Sequence, residues 1–357
     1  LSAGFSDERR VYWLALARAP QVGPVTFFQL LAKYGSPQEA VERAGIRANL
    51  DSARRELDNA AQLGATILLS EDEDYPAALS ELSPPPPVLT VLGDIRLLER
   101  PAIALVGARD ASAAGRKIAR ELAASLGKAG LVIASGLARG IDGEAHQAAL
   151  STGTIAVLAG GVDQIYPPQH KALYHEIVGN GLIVSERAFG RRATAQDFPR
   201  RNRIITGLAV GTVVVEATER SGSLISARMA GEQGREVMAV PGSPLDRRAA
   251  GTNRLLREGA TLVRHAEDAL EAVASQIEDT TVSFHPTLPL DPPDNSGADD
   301  DDGLTERIVE ALSPTPLPIA DIARASGCTA RQCAARLMEL ELEGRALTHA
   351  GGLASRV

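Results

Sequence analysis

The chain is poor in the residues that carry redox and metal chemistry. Its 357 residues include only two cysteines, Cys328 and Cys333. Five apart on what reads as one helix, they lie off a common face and make neither a disulfide framework nor a four-ligand zinc site. His170 and His175 have the wrong spacing to share a metal and are expected on a solvated helix face. Aromatic residues make up 3% of the chain, too few for the extensive base stacking used by many strand-binding proteins. No run approaches the roughly 18 apolar residues that a spanning helix needs. The stretch from Leu1 to Asp7 has no basic segment leading into an apolar one. A soluble, cytoplasmic protein with no membrane partner is expected. The usual nucleotide motifs are missing as well. No G-x-G-x-x-G opens the first strand-to-helix turn, no G-x-x-x-x-G-K-[ST] occurs, and no G-x-S-x-G elbow offers a nucleophile. Hydride transfer, P-loop hydrolysis and serine hydrolysis lose their machinery, and neither a metal nor a cofactor is expected.

What is present is enough to fold. With 44% hydrophobic and 23% charged residues, a chain of this length buries a substantial core in two or three domains. Residues 281–303 carry six acids, no lysine or arginine and a cluster of prolines, as in an extended linker. Glu71 to Pro87, ending in four prolines, is the other break. These shifts divide the chain into a helical part over 1–64, a central part over 65–280, the linker over 281–303 and a small module over 304–357. Between Pro87 and Ala274, eight short apolar runs alternate with amphipathic stretches: Val88–Leu92, Ile103–Val106, Val132–Ala134, Ile155–Leu158, Leu182–Val184, Val213–Glu216, Val237–Val240 and Thr261–Val263. Thr66–Leu69 precedes them as a ninth. Continuous apolar strands are buried on both faces, so the centre reads as an α/β, Rossmann-like, doubly wound and mostly parallel sheet.

In such sheets ligands sit beyond the carboxyl ends of the strands. There the sequence places Gly107-Ala-Arg109, then Ser135-Gly136 with Gly140, then Ser221-Gly222-Ser223. Glycine admits a close oxyanion, and helix-start amides donate to it. Tight strand-to-helix turns alone would also call for these glycines. The formal charge is -8, yet Arg187, Arg191, Arg192, Arg200, Arg201 and Arg203 face a single acid, Asp197, within 17 residues. A local anion site is therefore compatible with an acidic chain. Arg200, Arg201, Asn202 and Arg203, read as lying just before a helix, suit bidentate grips on phosphate; a solvated basic turn is the other reading.

Taken together, these residues resemble the DNA-processing protein A (DprA/Smf) family. The segments are Val106-Gly-Ala-Arg109, Ser135-Gly-Leu-Ala-Arg-Gly-Ile-Asp142 with His146, Phe198-Pro-Arg-Arg-Asn-Arg-Ile-Ile205, Ser221-Gly-Ser223, Val240-Pro-Gly242 and Gly251-Thr-Asn253. Thr154–Leu158, Gly161-Val-Asp163, Tyr166-Pro167 and Val214-Val-Glu-Ala217 complete the set in order. The resemblance implies an extended Rossmann fold that binds single-stranded DNA and hands it to RecA recombinase, protecting incoming strands in natural transformation. It implies no cofactor, no turnover and a homodimer formed through this domain. Carried over by position, Gly107, Arg109, Ser135, Gly136, Gly140, Ser221, Gly222 and Ser223 would form the anion pocket. Arg200, Arg201 and Arg203 would grip neighbouring phosphates, Asn202 would fix the loop, and Asp142 and His146 would orient loop and helix. The hairpin at Pro20-Gln-Val-Gly-Pro24 resembles a helix-hairpin-helix or sterile-alpha-motif-like module, and 304–357 a winged helix turning at Ser326-Gly327. Glu339, Glu341 and Glu343 on its supposed recognition helix favour a protein contact over a duplex. The alternative is a Rossmann-type nucleoside-monophosphate hydrolase, motivated by Glu216 and Glu219 beside Ser221-Gly-Ser223, although the Pro-Gly-Gly-x-Gly-Thr run of those enzymes is missing.

Overall fold

A computed structural model describes residues 7–280, 301–312, 316–349 and 352–356. The chain forms two compact units, one ending at Phe284 and one beginning at His285. The first opens with α1 (Asp7–Ala17), α2 (Pro24–Tyr34), α3 (Pro37–Arg43) and α4 (Leu50–Leu63). The side chains of Ser36 and Asn49 cap α3 and α4, accepting from the amides of Glu39 and Ser52. Trp13, Leu14, Leu16 and Phe27 from these helices pack in one cluster with Ile67, Leu69, Val88 and Leu92 of the sheet. The Trp13 indole N–H donates to the Pro87 carbonyl at 2.9 Å, so the front helices share their core with the sheet edge.

There follow β1 (Thr66–Leu69), α5 (Ala77–Ser80), β2 (Val88–Gly93), β3 (Ala102–Val106), α6 (Ala113–Lys128), β4 (Val132–Ser135), α7 (Ile141–Ala149), β5 (Thr154–Val157) and α8 (Lys171–Asn180). The unit continues with β6 (Leu182–Ser185), α9 (Asp197–Leu208), β7 (Ala209–Val214), α10 (Ser223–Glu232), β8 (Glu236–Ala239), α11 (Ala250–Arg257), β9 (Thr261–Leu262) and α12 (Ala266–Thr280). All nine expected apolar runs supply strands. The seventh starts earlier than the run suggests and stops at Val214, because Glu216 turns away to bond with Ser112.

The strands lie in the order β1-β2-β6-β5-β4-β3-β7-β8-β9. Pairing is parallel from β6 through β9, while β1–β2 and β2–β6 are antiparallel. Helices cover both faces, which is why β3, β4, β5 and β6 are buried along their whole length. From β3 the chain steps outward to β6, then returns to lay β7 on the other side of β3. That reversal opens a crevice at the carboxyl ends of β3 and β7.

The second unit contains α13 (Asp301–Ala311), β10 (Leu317–Pro318), α14 (Ile319–Ser326), α15 (Ala330–Leu342), β11 (Ala346–His349) and β12 (Leu353–Arg356). Its three strands are antiparallel in the order β10-β12-β11. Ile308, Ile322, Cys333, Leu337, Leu340 and Ala354 form its core. Gly327, at φ +68°, makes the turn between α14 and α15, and Thr329 with Gln332 forms a capping box at the start of α15. This is a winged helix. The expected linker falls outside the described residues apart from 301–303, which open α13.

Candidate functional site

The site is a groove along the carboxyl ends of the central strands. One basin of about 520 Å³ occupies the β3/β7 crevice, lined by Gly107, Arg109, Asn202, Ser221, Gly222 and Ser223 among others. A second, of about 220 Å³, extends beyond β4 and β5 to Leu158, Gly160, Gln164 and Tyr166. Arg109, Ala138, Phe198 and Arg201 line both, so the two basins are one continuous groove.

Its floor is the turn between β4 and α7, held from beneath. The Asp142 carboxylate accepts from the Gly136 and Ala138 amides at 3.1 and 3.4 Å. Burial pushes this carboxyl above the ordinary range, against the pull of the Arg201 guanidinium and of those amides. His146 is fully buried, and its Nε2 accepts from the Leu137 amide at 3.2 Å. Nδ1 therefore carries the proton and donates to the Thr154 hydroxyl at 2.7 Å, which in turn donates to the Ile133 carbonyl at 2.8 Å. The imidazole is pushed down to about 3, chiefly by burial, with His170 and Arg201 adding to it. The unfolded chain, with an imidazole near 6.5, takes up a proton first. The contribution of this group to stability is therefore complete above about pH 6.5 and is lost as the pH falls toward 3. Melting should weaken between pH 7 and pH 4, by about 3 kcal/mol from this group. A His146→Gln variant, less stable at neutral pH, should lose less on the same change; an equal loss would assign the acid sensitivity elsewhere.

Several expected ligand residues are themselves part of this support. Arg201 is only 6% exposed, and its Nη1 donates to the carbonyls of Gly136 and Val157. Gly136 is glycine because a Cβ there would lie 2.0 Å from Arg201 Nη1. Arg201 thus braces the groove from below instead of gripping phosphate from above. Ser135 is fully buried and donates to the Leu105 carbonyl at 2.6 Å, which turns its hydroxyl into the sheet and away from a ligand. Gly140, at φ +77°, sits where a Cβ would meet the Ala108 carbonyl at 2.2 Å; it serves the turn and is outside the groove lining. The arginines do not precede a helix. They lie inside α9, which begins at Asp197. Asp197 takes Arg187 as a close ion pair and Arg191 at 3.7 Å, absorbing part of the local positive charge. Arg200 and Arg203 line a separate pocket. His170 is also not on a solvated face, since its Nδ1 lies 3.0 Å from the Leu137 carbonyl.

The groove wall keeps Gly107, Arg109, Asn202, Ser221, Gly222 and Ser223. Among the described residues the Asn202 side-chain amide has no hydrogen-bond partner, so it faces the groove and fixes no loop. The hydroxyls of Ser221 and Ser223 are 2.7 Å apart at the start of α10; the first-turn amides of Ser223, Leu224 and Ile225 donate to the Ser221 hydroxyl and to the Ser221 and Gly222 carbonyls, so the turn offers the groove its two hydroxyls and the exposed Gly222 backbone. The sequence reading gave no role to Tyr166 and Phe198. Their rings are 5.7 Å apart, Tyr166 is 52% exposed, and the Arg109 guanidinium lies over the Phe198 ring at 5.1 Å. Two aromatics and a cation form a ledge between the basins. The signal for them was an aromatic followed by proline, at Tyr166-Pro167 in a loop and at Phe198-Pro199 in the first turn of α9.

Glu216 changes the comparison with nucleotide enzymes. Its carboxylate accepts from the Ser112 amide at 2.9 Å and from the Ser112 hydroxyl, and a Cβ on Gly115 would lie 2.4 Å from it. It caps α6 at the helix start where a Rossmann domain seats a cofactor phosphate. Glu219 lies in a different pocket, beside α10 and α11. The hydrolase reading thereby loses Glu216 to the scaffold. Among the described residues no cluster of His, Cys, Asp and Glu could hold a metal, and no helix is long and apolar enough to cross a membrane.

A doubly wound domain with an arginine-lined groove at its switch-point crevice, preceded in the sequence by a helical hairpin and followed by a winged helix, defines the class of the chain. The chain belongs to the DNA recombination-mediator protein A family, whose description matches residues 66–274. The DprA-like N-terminal HHH domain matches 7–45 and the DprA winged helix domain 292–352. Protein Smf of Escherichia coli K12 is 36% identical over 292 residues, covering 80% of this chain and 76% of the relative. DNA processing protein DprA of Streptococcus pneumoniae is 45% identical over 201 residues, 56% of this chain and 71% of the relative. Its crystal structure aligns with a TM-score of 0.66 at 34% identity, covering 74% of this chain and 97% of that one. A DNA processing protein A structure from Helicobacter pylori, described for its single-stranded DNA binding mode, aligns with a TM-score of 0.55 at 30% identity, over 61% and 98%.

Proposed function

We propose that this chain is a single-stranded DNA-binding recombination mediator that acts by binding and not by turnover. The backbone of an unpaired strand follows the groove, with phosphates on Arg109, Asn202, the Gly107 backbone and the Ser221-Gly222-Ser223 turn. A base rests on the ledge of Tyr166 and Phe198. The observation that carries this reading is Arg109, exposed between the two basins with no carboxylate partner among the described residues and stacked on Phe198. A phosphate supplies the missing counter-charge, and a base finds a π-face beside it. The single-stranded DNA binding described for the Helicobacter pylori relative supports the same reading. Delivery of the strand to RecA, protection of incoming DNA in natural transformation, a homodimer through this domain and a cytoplasmic location complete the proposal.

Affinity for an unstructured oligonucleotide, measured at several ionic strengths, tests it. Each neutralised phosphate on a single strand contributes about -0.7 to the slope of log affinity against log salt. A clear negative slope and a preference for the single strand over duplex are expected; a flat response or a duplex preference would discard the reading.

A further inference from the structure

Beyond the central groove, a third basin of about 500 Å³ lies between the front helices and the rim of the sheet. Four guanidiniums line it, from Arg18 at the end of α1, Arg187 after β6, and Arg200 and Arg203 on α9, against one lining carboxylate, Glu186. Arg18, Arg187 and Arg203 have side chains about one-fifth exposed, and each is fixed by a carboxylate: Glu56, Asp197 and Glu186 respectively. Arg18 Nη1 also donates to the Glu186 carbonyl at 2.8 Å. The guanidiniums are therefore held in place, with donors to spare. Arg200 is exposed and has no ion-pair or hydrogen-bond partner among the described residues. The opposite wall is the first turn of α2, where Gly23 is the N-cap and no side chain caps the helix. Fixed arginines facing an uncapped helix start make an anion seat.

Its place relative to the groove identifies the anion. Arg201 and Asn202 line the groove, while Arg200 and Arg203 line this basin. The two cavities thus flank a single turn of α9, and a strand leaving the groove over that turn arrives at the third basin. We propose that this basin seats a further phosphate of the same strand, so that the front helices form part of the DNA surface. The inference rests on the single-stranded DNA reading above.

Gln21 offers a test that spares the fold, because it is exposed, lines the basin and has φ +65°, which glutamate and lysine tolerate as well as glutamine does. Gln21→Glu should weaken binding of the full chain to an oligothymidylate of about thirty residues by roughly fivefold at low salt, and Gln21→Lys should strengthen it. Gln29→Glu, the same charge change on an exposed α2 position outside the basin, should have little effect. Arg200→Ala should make the salt dependence shallower by about one phosphate contact. Wild-type affinity for Gln21→Glu, or an equal loss for Gln29→Glu, would overturn the seat. Arg109→Ala, run in parallel, separates the two readings. Loss there with none at Gln21 and Arg200 removes only the third basin. Loss at Gln21 and Arg200 with none at Arg109 removes the central groove and retains the seat.

Discussion

Arg201→Ala is expected to melt about 6–20 °C below the wild-type chain, reflecting a loss of about 3–5 kcal/mol. The guanidinium is buried within electrostatic reach of Asp142, and Nη1 satisfies two backbone carbonyls at the ends of β4 and β5. Truncation would remove the cation that favours the Asp142 carboxylate and leave two carbonyls without this donor and a cavity beneath the groove floor. Even in place, the Arg201 Nε atom has no partner, and burial lowers the group to about 10 although Asp142 favours its charge. Its position is structural, and the cost of removing it should appear in thermal or denaturant unfolding without DNA. A variant that unfolds like the wild type and loses only DNA affinity would make Arg201 a ligand contact after all.

Arg109→Ala is expected to do the reverse, leaving unfolding unchanged and weakening single-strand binding by about tenfold to a hundredfold. The side chain is exposed and its one described neighbour is the Phe198 ring, so nothing buried depends on it. Its loss removes a phosphate contact, which should make the salt dependence shallower by about one contact. It also removes the cation over the aromatic ledge. Because phosphates carry no base identity, the loss should be alike for oligonucleotides of different sequence. A loss confined to one base composition would point to base readout at the ledge.

The sheet was legible because its central strands β3 to β6 are short, mostly apolar segments buried along their whole length, which two-sided covering permits. The orientation of the arginines was not, although a signal was there. Arg201 stands with Ile204, Ile205 and Leu208 at the i, i+3, i+4, i+7 positions of α9, and all four are buried. Placing the helix start after these arginines hid that stripe and made one basic cluster of side chains that divide between the interior and the third basin. Ser135 was misjudged for a related reason, as it ends β4 inside the sheet instead of beginning the loop beyond it. Arg109 and the Ser221–Ser223 turn were legible because they follow β3 and β7, where the chain reverses and leaves its crevice open. Tyr166, in a loop, and Phe198, in the first turn of α9, come together across 32 residues, a pairing that spacing along the chain cannot express.

The Glu216 side chain fills the start of α6 with a carboxyl group of the protein's own. On the proposed reading, a free mononucleotide or dinucleotide meets that carboxylate where a Rossmann domain would seat its phosphate. On the single-stranded DNA reading, a polymer with many phosphates gains along the whole rim at once, which favours long strands before any contact with a base is made.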